Sequence, residues 1–151
     1  MLGIASKVLI PSIATLIVTV GICVAQDSTT VIIGGTGPTP HIQTVIDGVS
    51  DALSSNGVKV KVNSGDSKSR SVILDEMKAS GNTVLLYLTV NSMKGQRGKI
   101  LAESFVDGKK VWEEDTRGSL MAVSGEGEVR GMLKSIVEKI KKHIGKEGLP
   151  K

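Results

Sequence analysis

Apolar positions recur with two periods along this chain, and the periods predict its elements. The β-branched run STTVIIGG predicts a first strand that ends at glycine. Pro40 then suits the first turn of a helix, with Thr39 as its cap. VKVKV alternates strictly, which predicts a strand with one buried face. The helix between these strands carries apolar residues at helical spacing: Ile42, Val45, Ile46, Val49 and Leu53.

The second half predicts one short helix, three strands and a long final helix. The short helix covers Ser71 to Ala79, and TVLLYLTV is apolar on both faces, as expected of a central strand. Asp107-Gly108 is a hairpin signal between two strand-like runs. KGQRG and GSLMAVSGEGE are expected to form loops. The final helix has one apolar stripe: Val129, Met132, Leu133, Ile136, Val137, Ile140 and Ile144.

This order predicts an α/β fold on the border with α+β. Crossover helices early in the chain imply parallel pairing, and the late hairpin implies antiparallel pairing. We therefore expect a single mixed sheet of about five strands, in the order β-α-β-α-β-β-β-α, with the helices mainly on one face. Residues 26–151 are expected to form one domain.

The first 25 residues have the pattern of a secretory signal peptide. Lys7 precedes an apolar run from Val8 to Ile22, and Cys-Val-Ala offers a small-x-small cleavage site. We expect cleavage after Ala25, so that Gln26 begins the exported protein in the periplasm or outside the cell. A retained membrane anchor is the alternative. An acylated Cys23 is another alternative, although Ile22 occupies a position where small residues are usual.

Composition narrows the range of possible functions. The 19 Lys and Arg residues exceed the 15 Asp and Glu residues, for a net charge of +4. Aromatic residues make up only 2% of the chain, which disfavours stacking on nucleic acid bases. Cleavage of the signal peptide would remove the chain's single cysteine, and with it any thiol chemistry. We expect no nucleic acid partner and no cofactor.

Several segments together resemble a group of small exported domains. These segments are VIDGVSDALSSNGVKV, ILDEMKASGNTVLLYLTV and VDGKKVWEE, followed by the amphipathic final helix. In their order and local sequence they resemble the domains related to the TolB amino-terminal domain. The curli-channel lipoprotein and the lipoprotein activators of peptidoglycan synthases share that architecture. The resemblance spans about Thr30 to Ile144 and implies an α/β domain that binds protein partners or assembles at the envelope, without a catalytic motif.

The glycine-rich stretch from Gly34 to Pro40 has two interpretations. Gly35 and Gly37 match the first two positions of the dinucleotide fingerprint, but Pro40 stands where the third glycine would allow close packing. A P-loop lysine is absent from the stretch, so we expect no nucleotide site. The stretch is either a plain strand-to-helix turn or an anion site at a helix start, formed by Gly35, Thr36, Gly37 and Thr39.

Candidate catalytic and metal-binding residues are few. Gly65-Asp66-Ser67 is similar to an esterase nucleophile block, but an Asx-type turn is the simpler interpretation. His41 and His143 have no carboxylate at ligand spacing, and no acid accompanies His143 in sequence. The acidic run from Glu113 to Asp115 alternates between faces of a strand, which predicts a solvated edge. We expect no catalytic residue and no metal site.

The remaining candidates define a surface that can meet a partner. The last helix has a basic outer side, suited to anionic lipid or a cell-wall polymer, although such a side is often only solvated. Trp112 either covers the sheet or anchors a partner. The candidate partner surface is Trp112, Arg130, Lys134, Lys141 and Lys142.

The leading functional hypothesis is a non-enzymatic exported domain that binds an envelope or secreted protein. The alternative is a small-ligand domain that holds an anion at the turn from Gly34 to Pro40. The sequence leaves the oligomeric state open.

Overall fold

The computed structural model describes residues 29–63, 68–81, 84–93, 97–119 and 127–151. The signal peptide predicted for residues 1–25 lies outside these ranges. The five strands are β1 Val31–Thr36, β2 Val60–Val62, β3 Val84–Met93, β4 Arg97–Val106 and β5 Lys109–Ser119. The three helices are α1 Thr39–Ser55, α2 Arg70–Ser80 and α3 Gly127–Lys141.

The strands form one mixed sheet in the order β2-β1-β3-β4-β5. β1 pairs in parallel with both β2 and β3, through the pairs Val31↔Val60 and Val31↔Val84. β3, β4 and β5 continue the sheet as an antiparallel ribbon. This arrangement confirms the predicted α/β fold and its element order, because the crossover connections come first and the hairpin comes last.

Two helices cover one face of the sheet and the third covers part of the other. α1 and α3 bury their apolar stripes against a large core that includes Ile33, Leu86 and Ile100. α2 packs Ile73 and Met77 on the opposite face, against a smaller cluster. The helices therefore lie mainly on one face, as predicted. The smaller cluster consists of Ile32, Ile73, Met77, Leu85, Tyr87 and Phe105.

The hairpin follows its sequence signal, and two helices end at residues that are typical of helix C-termini. Asp107 and Gly108 have φ angles of 50° and 79°, the left-handed geometry that a two-residue hairpin turn requires. Asn56 is the C-cap of α1, and Gly81 closes α2 in a left-handed conformation with φ of 73°.

Several predicted boundaries were wrong because pairing with neighbouring strands continues past the local signal. β1 runs on to Thr36 through both glycines. Arg97 and Ser119, which we expected in loops, pair with each other in register. Thr39 is the first residue of α1 rather than its cap, and the N-cap residue, Pro38, makes no side-chain capping hydrogen bond.

The chain after α3 folds back onto the sheet. Ile144 lies beyond the helix end and is partly buried against the large core. Leu149 is fully buried. The Ser104 hydroxyl on β4 donates to the Gly148 carbonyl at 2.8 Å. This terminal segment, residues 142–150, is therefore part of the folded core rather than a loose tail.

Candidate functional site

The glycines of the predicted anion site are required by close packing. Gly35 pairs with Leu88 inside the sheet. A Cβ at this glycine would lie 2.6 Å from the Leu88 carbonyl oxygen and 2.8 Å from Cδ1 of Ile42. Gly37 has a φ of 154°, and a Cβ there would lie 2.8 Å from the carbonyl oxygen of Val90. The stretch is thus a strand end held tightly between β3 and α1.

The start of α1 has few amides to offer an anion. Pro40, in the first turn, has no N–H group. The His41 N–H donates to the Pro38 carbonyl at 3.0 Å. Thr36 hydrogen-bonds to Tyr87, a buried residue whose hydroxyl donates to the Lys68 carbonyl at 3.1 Å. Burial raises the pKa of the Tyr87 hydroxyl. An anion site formed by Gly35, Thr36, Gly37 and Thr39 stays a prediction.

The structure pairs His143 with an acid that is remote from it in the sequence. Nε2 of His143 donates to Oε1 of Glu114 at 2.8 Å. The imidazole also stacks on the Trp112 indole, with ring centroids 4.2 Å apart and planes 9° apart. Glu114 is half-buried, so its expected place on a solvated edge was wrong. The partners are separated by 29 positions in the sequence, so no local pattern links them.

The described residues contain little that resembles a metal site or a membrane span. Within the described ranges, no three residues among His, Cys, Asp and Glu lie together as metal ligands. None of the helices in the described part of the chain is long and apolar enough to cross a membrane. Gly65-Asp66-Ser67 lies outside the described residues, so its interpretation is unchanged.

The residues of the basic side of α3 differ in their exposure. Lys141 contacts Glu138 at 3.0 Å. Lys134 and Lys142 are exposed, as is Arg130. Trp112 lies on β5 and packs against the core, which fits the expectation that it covers the sheet. These five residues, as a surface for a partner, stay a prediction.

A second surface was not singled out from the sequence. α2 packs over β1 and the beginning of β3. It does not cover the end of β3, the beginning of β4 or the end of β5. There the strands present a surface that we call the open face. Its members alternate with core residues such as Ile100 and Ala102, so they point away from α1 and α3. The open face consists of Thr89, Met93, Arg97, Lys99, Leu101, Asp115 and Arg117.

Two cations on the open face contact one carboxylate, and a third cation lies at the same end of the ribbon. Lys99 lies directly opposite Arg117 in the ladder. Asp115 contacts both, at 3.1 Å from Lys99 Nζ and 3.8 Å from Arg117 Nε. The hydrogen bond from Lys99 is the largest cause that holds the pKa of Asp115 below its ordinary value. Arg97 begins β4 at the same end of the ribbon.

Next to the open face, a buried carboxylate is neutralised by two cations. Glu103 is only 6% exposed. Arg70 of α2 approaches it at 3.1 Å and Lys110 of β5 at 3.4 Å. The Arg70 guanidinium also lies 5.3 Å from the centre of the Phe105 ring. This cluster attaches α2 to the ribbon and so marks one border of the open face.

A cleft of about 430 Å³ lies at the end of the open face. Its lining combines two arginines, one exposed methionine, two glycines and one serine. The sequence carried a signal for the basic end of the open face, because Arg97 and Lys99 share one face if β4 begins at residue 97. The signal was missed because KGQRG was expected to be a loop. The lining residues are Met93, Arg97, Gly98, Arg117, Gly118 and Ser119.

Comparison with known proteins adds a likeness of fold. No protein-family model matches this chain, and no curated protein matches it in sequence. Solved structures that match include a PelC dodecamer from Paraburkholderia phytofirmans, at 13% sequence identity and a TM-score of 0.45. That match covers 74% of this chain and 81% of the PelC chain. The likeness concerns the fold alone, and the finer resemblance to TolB-type domains stays a prediction.

Proposed function

We propose that this chain is an exported, non-enzymatic domain that binds an envelope or secreted protein through the open face. The observation that carries the proposal is the incomplete cover of the sheet. α1 and α3 cover one face along β1, β3, β4 and β5, whereas α2 covers only part of the other. Among the described residues, no helix covers this face of the three-stranded ribbon at the end where Arg97 lies.

The side chains of the open face suit an interface. Leu101 is half-buried at its centre, in register with Thr89 on one side and Asp115 on the other. Arg97, Lys99 and Arg117 lie towards one end, where Asp115 contacts Lys99 and Arg117. Protein interfaces commonly combine an apolar centre with a polar rim, and opposite charges guide their association. The partner we expect is therefore a protein with an acidic surface.

Site-specific photo-crosslinking in cells tests this proposal. A photoreactive residue at position 101 should give one discrete adduct in the envelope or medium fraction. The same residue at position 72 is the matched control, because Val72 is exposed on α2 and lies outside the open face. Excess purified parent protein should suppress the adduct, and the Leu101→Arg variant should not, since a long charged side chain obstructs the centre of the face.

Two outcomes contradict the proposal. Equal adducts at positions 72 and 101 would indicate non-specific contact. The absence of an adduct at position 101, with the protein folded and exported, would show that the open face meets no partner. Export is read from the same samples by intact mass, with Gln26 expected as the first residue. An uncleaved amino terminus would contradict the export part alone.

A further inference from the structure

We propose that the cleft between Arg97 and Arg117 binds the carboxylate or phosphate group of a small organic anion. The inference goes beyond protein binding and rests on the proposed function only in that both use the open face. The ligand class follows from three features of the cleft, namely its charge, the geometry of its donors and its size.

The charge of the cleft is unbalanced. Lys99 and Arg117 are cross-strand neighbours, and like charges placed directly opposite each other destabilise a sheet. Asp115 relieves part of this repulsion from 3.1 Å and 3.8 Å. Arg97 adds a third cation, and among the described residues no carboxylate lies within ion-pair distance of it. A bound anion would complete the neutralisation that Asp115 only begins.

The donors have the right form for an oxyanion. A guanidinium presents its N–H groups as a planar fork that matches a carboxylate or phosphate in two-point contact. Arg97 and Arg117 bring two such forks to one cleft, on neighbouring strands of a rigid ribbon. Both side chains are exposed, so neither must leave a buried position to reach a ligand.

The size of the cleft indicates a ligand that is larger than an inorganic ion. Its volume of about 430 Å³ lies within the range of roughly 300–1,000 Å³ that is usual for small-molecule sites. Gly98 and Gly118 pair with each other in the ladder, and their backbone lines this part of the cleft. Met93, 45% exposed, offers a flexible apolar contact. An organic anion can use both the charged and the apolar parts.

The basic side of α3 fits such a ligand less well. Lys134 is exposed on the helix surface, and Lys141 is already paired with Glu138. An ammonium group is a point charge without the two-point fork of an arginine. Lys134 therefore supplies a matched control, because removing it changes the net charge equally without touching the cleft.

Titration with defined anions tests the proposal. Binding of glycerol phosphate and of glucuronate to the mature protein is followed by NMR chemical shifts, with glycerol and glucose as the uncharged counterparts. The anions should bind saturably and the uncharged compounds should not. Arg97→Gln and Arg117→Gln should each weaken binding about tenfold, since each removes a charge-assisted contact. Lys134→Gln should leave binding unchanged, and circular dichroism confirms that each variant is folded.

A second experiment, with lipid vesicles, identifies the source of the anionic group. Phosphatidylglycerol vesicles are compared with phosphatidylcholine vesicles for the same variants. Vesicle binding that needs both arginines supports a headgroup as the source, and glycerol phosphate binding without vesicle binding supports a soluble one. No saturable binding in either arm, or equal losses in all three variants, overturns the proposal. The crosslink at position 101 is scored separately, so an empty cleft with an intact adduct refutes the cleft and leaves the proposed function standing.

Discussion

The imidazole of His143 stacks on the indole of Trp112, with ring centroids 4.2 Å apart. The stack joins the segment after α3 to the edge strand β5, and the hydrogen bond from His143 to Glu114 fixes the imidazole in its plane. Trp112 is the chain's only tryptophan, so its fluorescence reports directly on this junction. A histidine that looked isolated in the sequence thus stabilises the end of the fold.

We expect His143→Ala to destabilise the protein by about 1–2 kcal/mol, because it removes one aromatic contact and one hydrogen bond. Urea unfolding followed by circular dichroism measures the loss. Tryptophan fluorescence should change in the folded variant as well. His41→Ala is the control, since His41 lies at the start of α1, far from the indole in sequence and in a different element. Equal losses in both variants would contradict a specific role for the stack.

Gly148→Ala should destabilise the protein far more than Gly145→Ala. Both glycines are left-handed, with φ of 86° and 78°, so each substitution has a conformational cost of about 1–2 kcal/mol. Only at Gly148 would the new Cβ also collide, at 2.5 Å from Ser104 Oγ and 2.7 Å from Trp112 Nε1. At Gly145 nothing lies within 4 Å. Thermal melts of the two variants measure the difference, and similar melting temperatures would show that the terminal segment is not docked.

The ion pair between Lys99 and Asp115 predicts a titration that NMR can follow. Its hydrogen bond lowers the pKa of Asp115 below the ordinary value of 3.8. A depressed pKa in the folded state contributes stability above the unfolded-state pKa. That contribution is lost as pH falls through the folded-state pKa, so this pair should weaken only below about pH 4. Lys99→Met should raise the Asp115 midpoint, and Lys134→Met should not. An Asp115 midpoint at or above 3.8 in the parent protein would contradict the pairing.

Ile136→Asp should unfold the protein or destabilise it by at least about 3 kcal/mol, because an unpaired charge would enter an apolar core. Ile136 is fully buried between α3 and the sheet. Lys134→Asp, on the exposed side of the same helix, is expected to change stability by less than about 1 kcal/mol. Thermal melting measures both variants. A parent-like melt of Ile136→Asp would mean that the apolar stripe does not face the core.

The periodic parts of the chain were predictable because they depend on local pattern. The stripe of α1 and the hairpin at Asp107-Gly108 each follow from neighbouring residues alone. The final helix was also predicted, although its stripe continues into the turns that hold Ile144. One face of each of these elements is buried, so apolar residues recur along it with a fixed period. That pattern can be recognised without knowing what the element packs against.

The candidate sites were not predictable in the same way, because they depend on long-range pairing. Glu114 and His143 meet only when α3 lies across β5. Arg97 and Arg117 come together only if β4 begins at Arg97 and β5 continues to Ser119, past glycines that locally favour a loop. The glycines at positions 34 and 35 were misleading for the same reason. Glycine marks either a turn or a close approach, and only the neighbouring elements distinguish the two.

Substitutions at the two glycines of β1 are expected to destabilise the protein to different degrees. A Cβ at Gly34 would lie 2.7 Å from Cδ1 of Ile73, the flexible end of a side chain that can move aside. A Cβ at Gly35 would lie 2.6 Å from the backbone oxygen of Leu88, which can move only if β3 shifts. Gly35→Ala should therefore lower the melting temperature clearly more than Gly34→Ala. If both variants melt alike, β1 is not held against β3 at Gly35, and the stretch to Pro40 would again be open to an anion.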